Sequence, residues 1–222
     1  MSALLTQLIN HQTQLSSCQQ CPQMIGPVII GKPVVSEIFQ LGQAPGIHEG
    51  KVAKPFGWTA GKTLFKWYER IGADEQTVRS HVYMAAVCRC FPGKHPSHGD
   101  RVPDKTEIAT CSKWLKAEIE LLRPKLIIPV GKLAIAQLMK VDKLKDVVGT
   151  VHQLEFYQHP VDVIPLPHPS GASTWHNMEP GKTLLSQALN EISLHACWKT
   201  IIDKRHVLDA FDEVNTNTKQ SR

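Results

Sequence analysis

The chain has 222 residues, 42% of them hydrophobic, and a formal charge of +5. That apolar share excludes a disordered chain, and the length fits one domain with a real core. No apolar run nears the roughly 18 residues of a membrane span, so no membrane partner is expected, and the positive charge permits nucleic-acid binding without requiring it.

In chain order, residues 1–8 read as the start of an amphipathic helix with no basic leader, so a cytoplasmic protein is expected. Residues 37–41 form a short strand that runs into a Gly-Pro turn. Helix follows over 59–71, with Leu64, Tyr68 and Ile71 on one face. Residues 82–87 are a second strand. The stretch 91–103, rich in Pro, Gly, His and basic residues, is a loop.

A helix then starts at Asp104, which caps it, with Glu107 completing a capping box. Ile108, Cys111, Leu115, Ile119 and Leu122 form its apolar stripe. Residues 126–130 are a third strand, ending at Gly131 before another helix. Residues 161–166 are a fourth. A last long helix begins near Pro180-Gly181, with Leu184, Leu185, Ala188, Leu189 and Ile192 facing inward. The domain is expected over 1–212, with a flexible tail at 213–222.

Strands alternating with helices predict an α/β fold: a three-layer α/β/α sandwich around a central four-stranded, mostly parallel sheet. Ligands of such sheets sit beyond the C-terminal strand ends. Gly42, Cys90, Gly131 and His168 all follow predicted strands, so four separate motifs converge on one rim.

Each motif has a chemical use. Gly42-Gln43-Ala44-Pro45-Gly46 can make a tight turn whose N–H groups polarise a carbonyl or orient a water. Phe56, after Pro55, can stack on a flat base or pack as a lid. His168, in His168-Pro169-Ser170, can donate to a carbonyl on which charge develops, and Ser170 can bind a phosphate or the backbone. Lys51, Lys54, Lys62, Arg89, Lys94 and Arg101 flank these motifs.

The six cysteines, in a cytoplasmic chain, favour metal or redox chemistry over disulfides. Cys18-x-x-Cys21 is a local metal-binding pair. Cys111 and either Cys88 or Cys90 can complete a four-thiolate site, since Cys88 and Cys90 share one strand face. Cys197 has no obvious partner.

Taken together, these motifs resemble the iron–sulfur branch of the uracil-DNA glycosylase superfamily, families 4 and 5. The likeness runs from Cys18 to the helix after Trp175. Gly42-Gln43-Ala44-Pro45-Gly46 is similar to the family's Gly-Glu-Ala-Pro-Gly, Pro55-Phe56 to its Pro-Phe, and His168-Pro169-Ser170 to its His-Pro-Ser. Val87-Cys88-Arg89-Cys90-Phe91-Pro92-Gly93 looks like the strand that carries a cluster cysteine, with Cys90 as ligand.

The resemblance implies a structural [4Fe–4S] cluster on Cys18, Cys21, Cys90 and Cys111. It implies a monomeric enzyme that hydrolyses the N-glycosidic bond of uracil in single- or double-stranded DNA. His168 and Gln43 would be catalytic, and Gly42, Gln43, Ala44, Phe56, His168 and Ser170 would bind substrate. The chain also departs from the family. Gln43 stands where many relatives have Glu, and a glutamine can orient water but not take its proton. Ala86 stands where family 4 has the Asn that reads the uracil edge. A family acidic residue falls on Gly50, with His48 and Glu49 beside it. The interval from Cys90 to Cys111 is longer than usual and carries Lys94, His95, His98 and Arg101. These departures keep open a non-catalytic nucleic-acid-binding member, a glycosylase for another base or nucleotide, and a zinc-binding module.

Overall fold

The computed structural model describes residues 2–203 except 98 and 172. The expected tail at 213–222, the domain end at 212 and His98 lie outside the described residues. Five strands form one sheet: β1 (Ile38–Gly42), β2 (Tyr83–Ala86), β3 (Leu126–Pro129), β4 (His152–Phe156) and β5 (His159–Val163). Their order is β2-β1-β3-β5-β4. β1 runs parallel to β2 and β3, and β3 runs parallel to β5. β4 is antiparallel to β5.

The expected four-stranded sheet therefore has a fifth strand. β4 alternates half-buried and exposed residues at the sheet edge, and it lacks the continuous apolar run of the buried strands. The last parallel strand also starts earlier than expected, at His159 rather than 161. Leu166 still joins the sheet through a parallel bridge to Val130.

Both faces of the sheet are covered, which explains the unbroken apolar strands. Ile38, Met84, Leu126, Ile128 and Ile164 pack with Leu64 and Tyr68 of α3 (Thr59–Glu69) and with Leu185, Leu189 and Ile192 of α7 (Gly181–Leu194). Phe39, Leu41, Tyr83, Ile127 and Val163 pack with Leu8 of α1 (Ala3–Ser16) and with Leu115 and Ile119 of α5 (Lys105–Leu122). Neighbouring residues of a strand thus serve opposite layers, as the pleat requires. Each such side chain contributes about 1.5–3 kcal/mol on full burial. Shorter helices among the described residues include α2 (Ile47–Val52), α4 (Glu75–His81) and α6 (Lys132–Ile135).

A buried polar network pins α1 to this core. Gln12 Nε2 donates to the Tyr83 hydroxyl at 3.3 Å and to the Gly31 carbonyl at 3.3 Å. Tyr83 donates to Glu118 at 2.8 Å, and Glu118 pairs with Arg89. Arg89 is only 2% exposed, so it does not belong to the basic surface expected around the motifs. An arginine buried this deeply needs a carboxylate partner, and Glu118 supplies it.

Candidate active site

One cavity of about 540 Å³ opens beyond the C-terminal ends of β1, β2 and β5. Gly42, Gln43, Ala44, Phe56, His168 and Ser170 all line it. Ala86, His48, Glu49 and Trp58 line it too, as do Pro92, Lys94, Asp100 and Arg101. The motifs expected at one rim are thus brought together, with two qualifications. Cys90 is not on the wall, where the loop after it stands instead. Gly131 sits behind His168.

The turn after β1 is held by its neighbour strand. Val87 N donates to the Gly42 carbonyl at 2.9 Å, and Cys88 N to the Gln43 carbonyl at 3.1 Å. Phe56 then lies directly over Gly42. A Cβ at Gly42 would stand 2.8 Å from the Phe56 ring, so only glycine admits that ring to the strand end.

Phe56 has a φ of 50°, a strained conformation for an aromatic residue. Its surroundings hold it there. Arg79 donates to the carbonyls of Pro55 (2.9 Å) and Phe56 (3.1 Å), while it pairs with Glu75 at 2.7 Å and stacks on Phe65. Glu49 accepts from the N–H of Gly57 at 3.0 Å and from that of Gly46 at 2.7 Å. One carboxylate therefore ties the Gly42–Gly46 turn to the Phe56 loop. Burial raises the pKa of Glu49, against the pull of those N–H groups and of Arg79.

His168 has an ordered tautomer. Ser170 N, which can only donate, points at His168 Nδ1 across 3.2 Å. Nδ1 is therefore the acceptor, and the proton sits on Nε2. Burial lowers the pKa of His168, with His176 adding to the effect, so the ring is neutral near pH 7. The neutral ring still donates through Nε2. Gly131, with φ 88°, lies behind the ring, and a Cβ there would meet His168 Cδ2 at 3.0 Å.

The loop at 91–103 is more structured than expected. Lys94 bridges Asp100, His95 N donates to the Gly99 carbonyl at 3.1 Å, and Arg101 N donates to the Gly93 carbonyl at 2.8 Å, so 93–95 and 99–101 pair as the arms of a hairpin. Arg101 grips Glu107 with two bonds of 2.6 and 2.8 Å. Glu107 also accepts from Asp104 N at 2.8 Å, completing the expected capping box of α5. One glutamate thus starts a helix and anchors the hairpin over the cavity.

The model of the uracil DNA glycosylase superfamily matches residues 29–193. The chain belongs to the uracil-DNA glycosylase superfamily. It is 32% identical to the type-4 uracil-DNA glycosylase of Saccharolobus solfataricus over 142 residues, 62% of each chain. It is 28% identical to that of Sulfurisphaera tokodaii over 181 residues, 79% of this chain and 76% of that one. The type-5 uracil-DNA glycosylase of Pyrobaculum aerophilum is 25% identical over 158 residues, 58% of this chain and 67% of the relative. The chain thus spans about three fifths to three quarters of the length of these relatives.

In this superfamily member, the segments that carry Cys21, Cys88 and Cys90 are paired beside the site. The segment after Cys21 pairs with the one after β2: Ile25 N donates to the Phe91 carbonyl (2.7 Å), Phe91 N to that of Ile25 (2.9 Å), and Ile29 N to that of Arg89 (2.7 Å). Cys88 and Cys111 are buried in one cluster of the core, and the neighbouring Cys88 holds the Cys111 thiol well below the usual thiol range. Burial pushes the Cys90 thiol up to about 11, and Cys111, Cys18 and Cys21 push it in the same direction. Among the described residues, no three His, Cys, Asp or Glu side chains stand arranged as a ready metal cage. The donor set is nevertheless all thiol, which suits iron–sulfur ligation. Cys197 lies apart, against Glu37 at 3.6 Å.

Sequence reasoning missed two contributors to the wall. Trp58 is 45% exposed at the cavity rim and stacks on His48, with ring centroids 4.6 Å apart. Asp100 was passed over among the basic residues of its loop. An exposed Trp next to a Pro-Phe turn was the available signal for the first; the second had none.

Proposed function

We propose that this chain hydrolyses the N-glycosidic bond of deoxyuridine in DNA and leaves an abasic site. The observation that carries this reading is the convergence of Gln43, Phe56 and a neutral, Nε2-protonated His168 on one cavity with room for an extruded base. The cavity volume falls within the range of sites that enclose a small ligand.

The base is extruded from the stack at a cost of a few kcal/mol and enters beside the Phe56 ring. His168 Nε2–H donates to O2 of the leaving uracil, where charge accumulates as the bond to N1 breaks. The neutral ring suits this role, because it donates without first being charged. The Gly42–Ala44 turn and the Gln43 amide orient the attacking water. Lys94 at the mouth, and Lys51 in the adjoining cleft, meet the phosphates of a DNA strand. The Trp58–His48 stack offers a flat platform for a neighbouring base.

Cys18, Cys21, Cys90 and Cys111 would hold a [4Fe–4S] cluster that ties the N-terminal arm to α5 structurally. Cys88 would stay outside the ligand set, as the register of the family's cysteine strand implies. Purified protein given oligonucleotides with one uracil, hypoxanthine, xanthine or thymine tests the assignment. Alkali-labile sites at uracil alone would support it. Intact uracil strands with bound DNA would replace it by a binding role. A second reading, excision of a different base, is favoured by Ala86, whose methyl group lines the wall where no amide reads the base edge. Cleavage at another base in that panel would select it.

A further inference from the structure

Gln43 cannot take a proton from water, so the turn after β1 lacks a base of its own. The hairpin at 93–101 brings one. Asp100 lines the same cavity as Gln43, Phe56 and His168. Its Oδ1 is held by Lys94 Nζ at 2.6 Å. Its Oδ2 stands 3.2 Å from the point a Cβ at Gly46 would occupy, over the far end of the Gly42–Gly46 turn. The next residue, Arg101, is clamped to Glu107 and to the carbonyls of Pro92 and Gly93, so the backbone carrying Asp100 is fixed. Glu49, the other carboxylate on the wall, already spends both oxygens on the N–H groups of Gly46 and Gly57.

We propose that Asp100 is the carboxylate that activates the attacking water, in place of the one that Gln43 does not provide. The proposal rests on the glycosylase reading. In the step, the water oxygen bonds to C1′ and its proton passes to Asp100. The C1′–N1 pair leaves with uracil, whose charge is met by His168. Lys94 holds one carboxylate oxygen and leaves the other turned toward the site, and the hairpin would place it on the water side of the sugar. The other titratable and charged groups on the wall that holds Asp100 are Lys94 and Arg101 of the hairpin, His48 and Glu49 of α2, and His168 beyond β5.

The test is the pH profile of single-turnover uracil excision by the full chain with its cysteines intact. Asp100→Asn should slow excision about 100-fold, within the usual range for general-base loss, and should abolish the acidic limb. Affinity for uracil-containing DNA, read by fluorescence anisotropy, should change little. Lys94→Ala and Glu49→Gln should slow the reaction but keep the acidic limb. In Asp100→Ala, added formate should restore part of the rate, which a structural role could not produce. An Asp100→Asn protein that keeps the wild-type rate, or keeps the acidic limb, overturns the proposal, as does absence of formate rescue. If the wild-type chain excises no uracil, the glycosylase reading itself fails, and that result is separable from the failure of Asp100.

Discussion

His168 and Glu49 show how single side chains set the chemistry. The His168 ring owes its tautomer to one N–H, that of Ser170, and its neutrality to burial. His168→Ala should lower the excision rate about 10²–10³-fold, as loss of one oxyanion-type donor does, while the far-ultraviolet spectrum stays unchanged. The depressed pKa also couples to stability. The unfolded chain binds a proton at His168 more readily than the folded one, so stability falls as pH drops through about 6.5. His168→Gln should flatten that part of the urea-midpoint curve between pH 7.5 and 5.5. A curve that does not change would show that His168 is not the titrating group. Glu49 accepts two backbone N–H bonds, and glutamine has one oxygen to offer. Glu49→Gln should cost about 1–3 kcal/mol in urea unfolding, the range for a hydrogen bond to a charged group left unmade. Little of this was legible beforehand. His168 announced itself by lying between two prolines at a strand end. The role of Glu49 depends on Gly57, brought close only when the Phe56 loop folds back, and the φ of Phe56 depends on Arg79, 23 residues away.

At the scale of elements, α5 was the most readable part of the chain. Its capping box, apolar stripe and start at Asp104 are local features, and all are found where expected. The β4–β5 hairpin was not readable. Its turn places Tyr157 and Gln158 at positive φ without a glycine or asparagine to announce it, and its edge strand is half exposed. The hairpin at 93–101 was legible as a loop but not as a wall of the cavity, because its anchor is the Arg101–Glu107 pair. That pair has a pH signature. The hydrogen bonds from Arg101 lower the pKa of Glu107, so their stabilisation is complete above about pH 4.5 and is lost as the pH falls further. Arg101→Ala should free the hairpin, with faster backbone hydrogen exchange at Lys94 and Asp100 and slower uracil excision. Unchanged exchange there would mean that the Lys94–Asp100 pairing closes the hairpin without Arg101.

Across the whole molecule, polar contacts add to the apolar packing, as in the buried network of Gln12, Tyr83, Glu118 and Arg89. The mostly parallel sheet, the layers and the rim position of the motifs followed from the alternation of strand and helix, whereas the strand order did not. Arg89 did not, since its partner Glu118 lies 29 residues further on and a charged residue beside a motif reads as surface. The cysteine cluster was visible as a composition signal, but the contest between Cys88 and Cys90 rests on contacts among distant segments. Cys90→Ala should bleach the visible absorbance of purified protein and loosen the N-terminal arm to protease, whereas Cys88→Ala should keep the colour. The opposite pattern would place Cys88 among the ligands.

The central claim is that the cavity over Gly42 is a uracil-excising site that works through His168. The most direct measurement is single-turnover excision from an oligonucleotide carrying one deoxyuridine, run in parallel with wild type and His168→Ala under enzyme excess. The account requires cleavage at that residue by the wild type and a rate at least 100-fold lower in the variant, with DNA binding retained. Equal rates for the two proteins, or no cleavage by the wild type while it binds the strand, would contradict it.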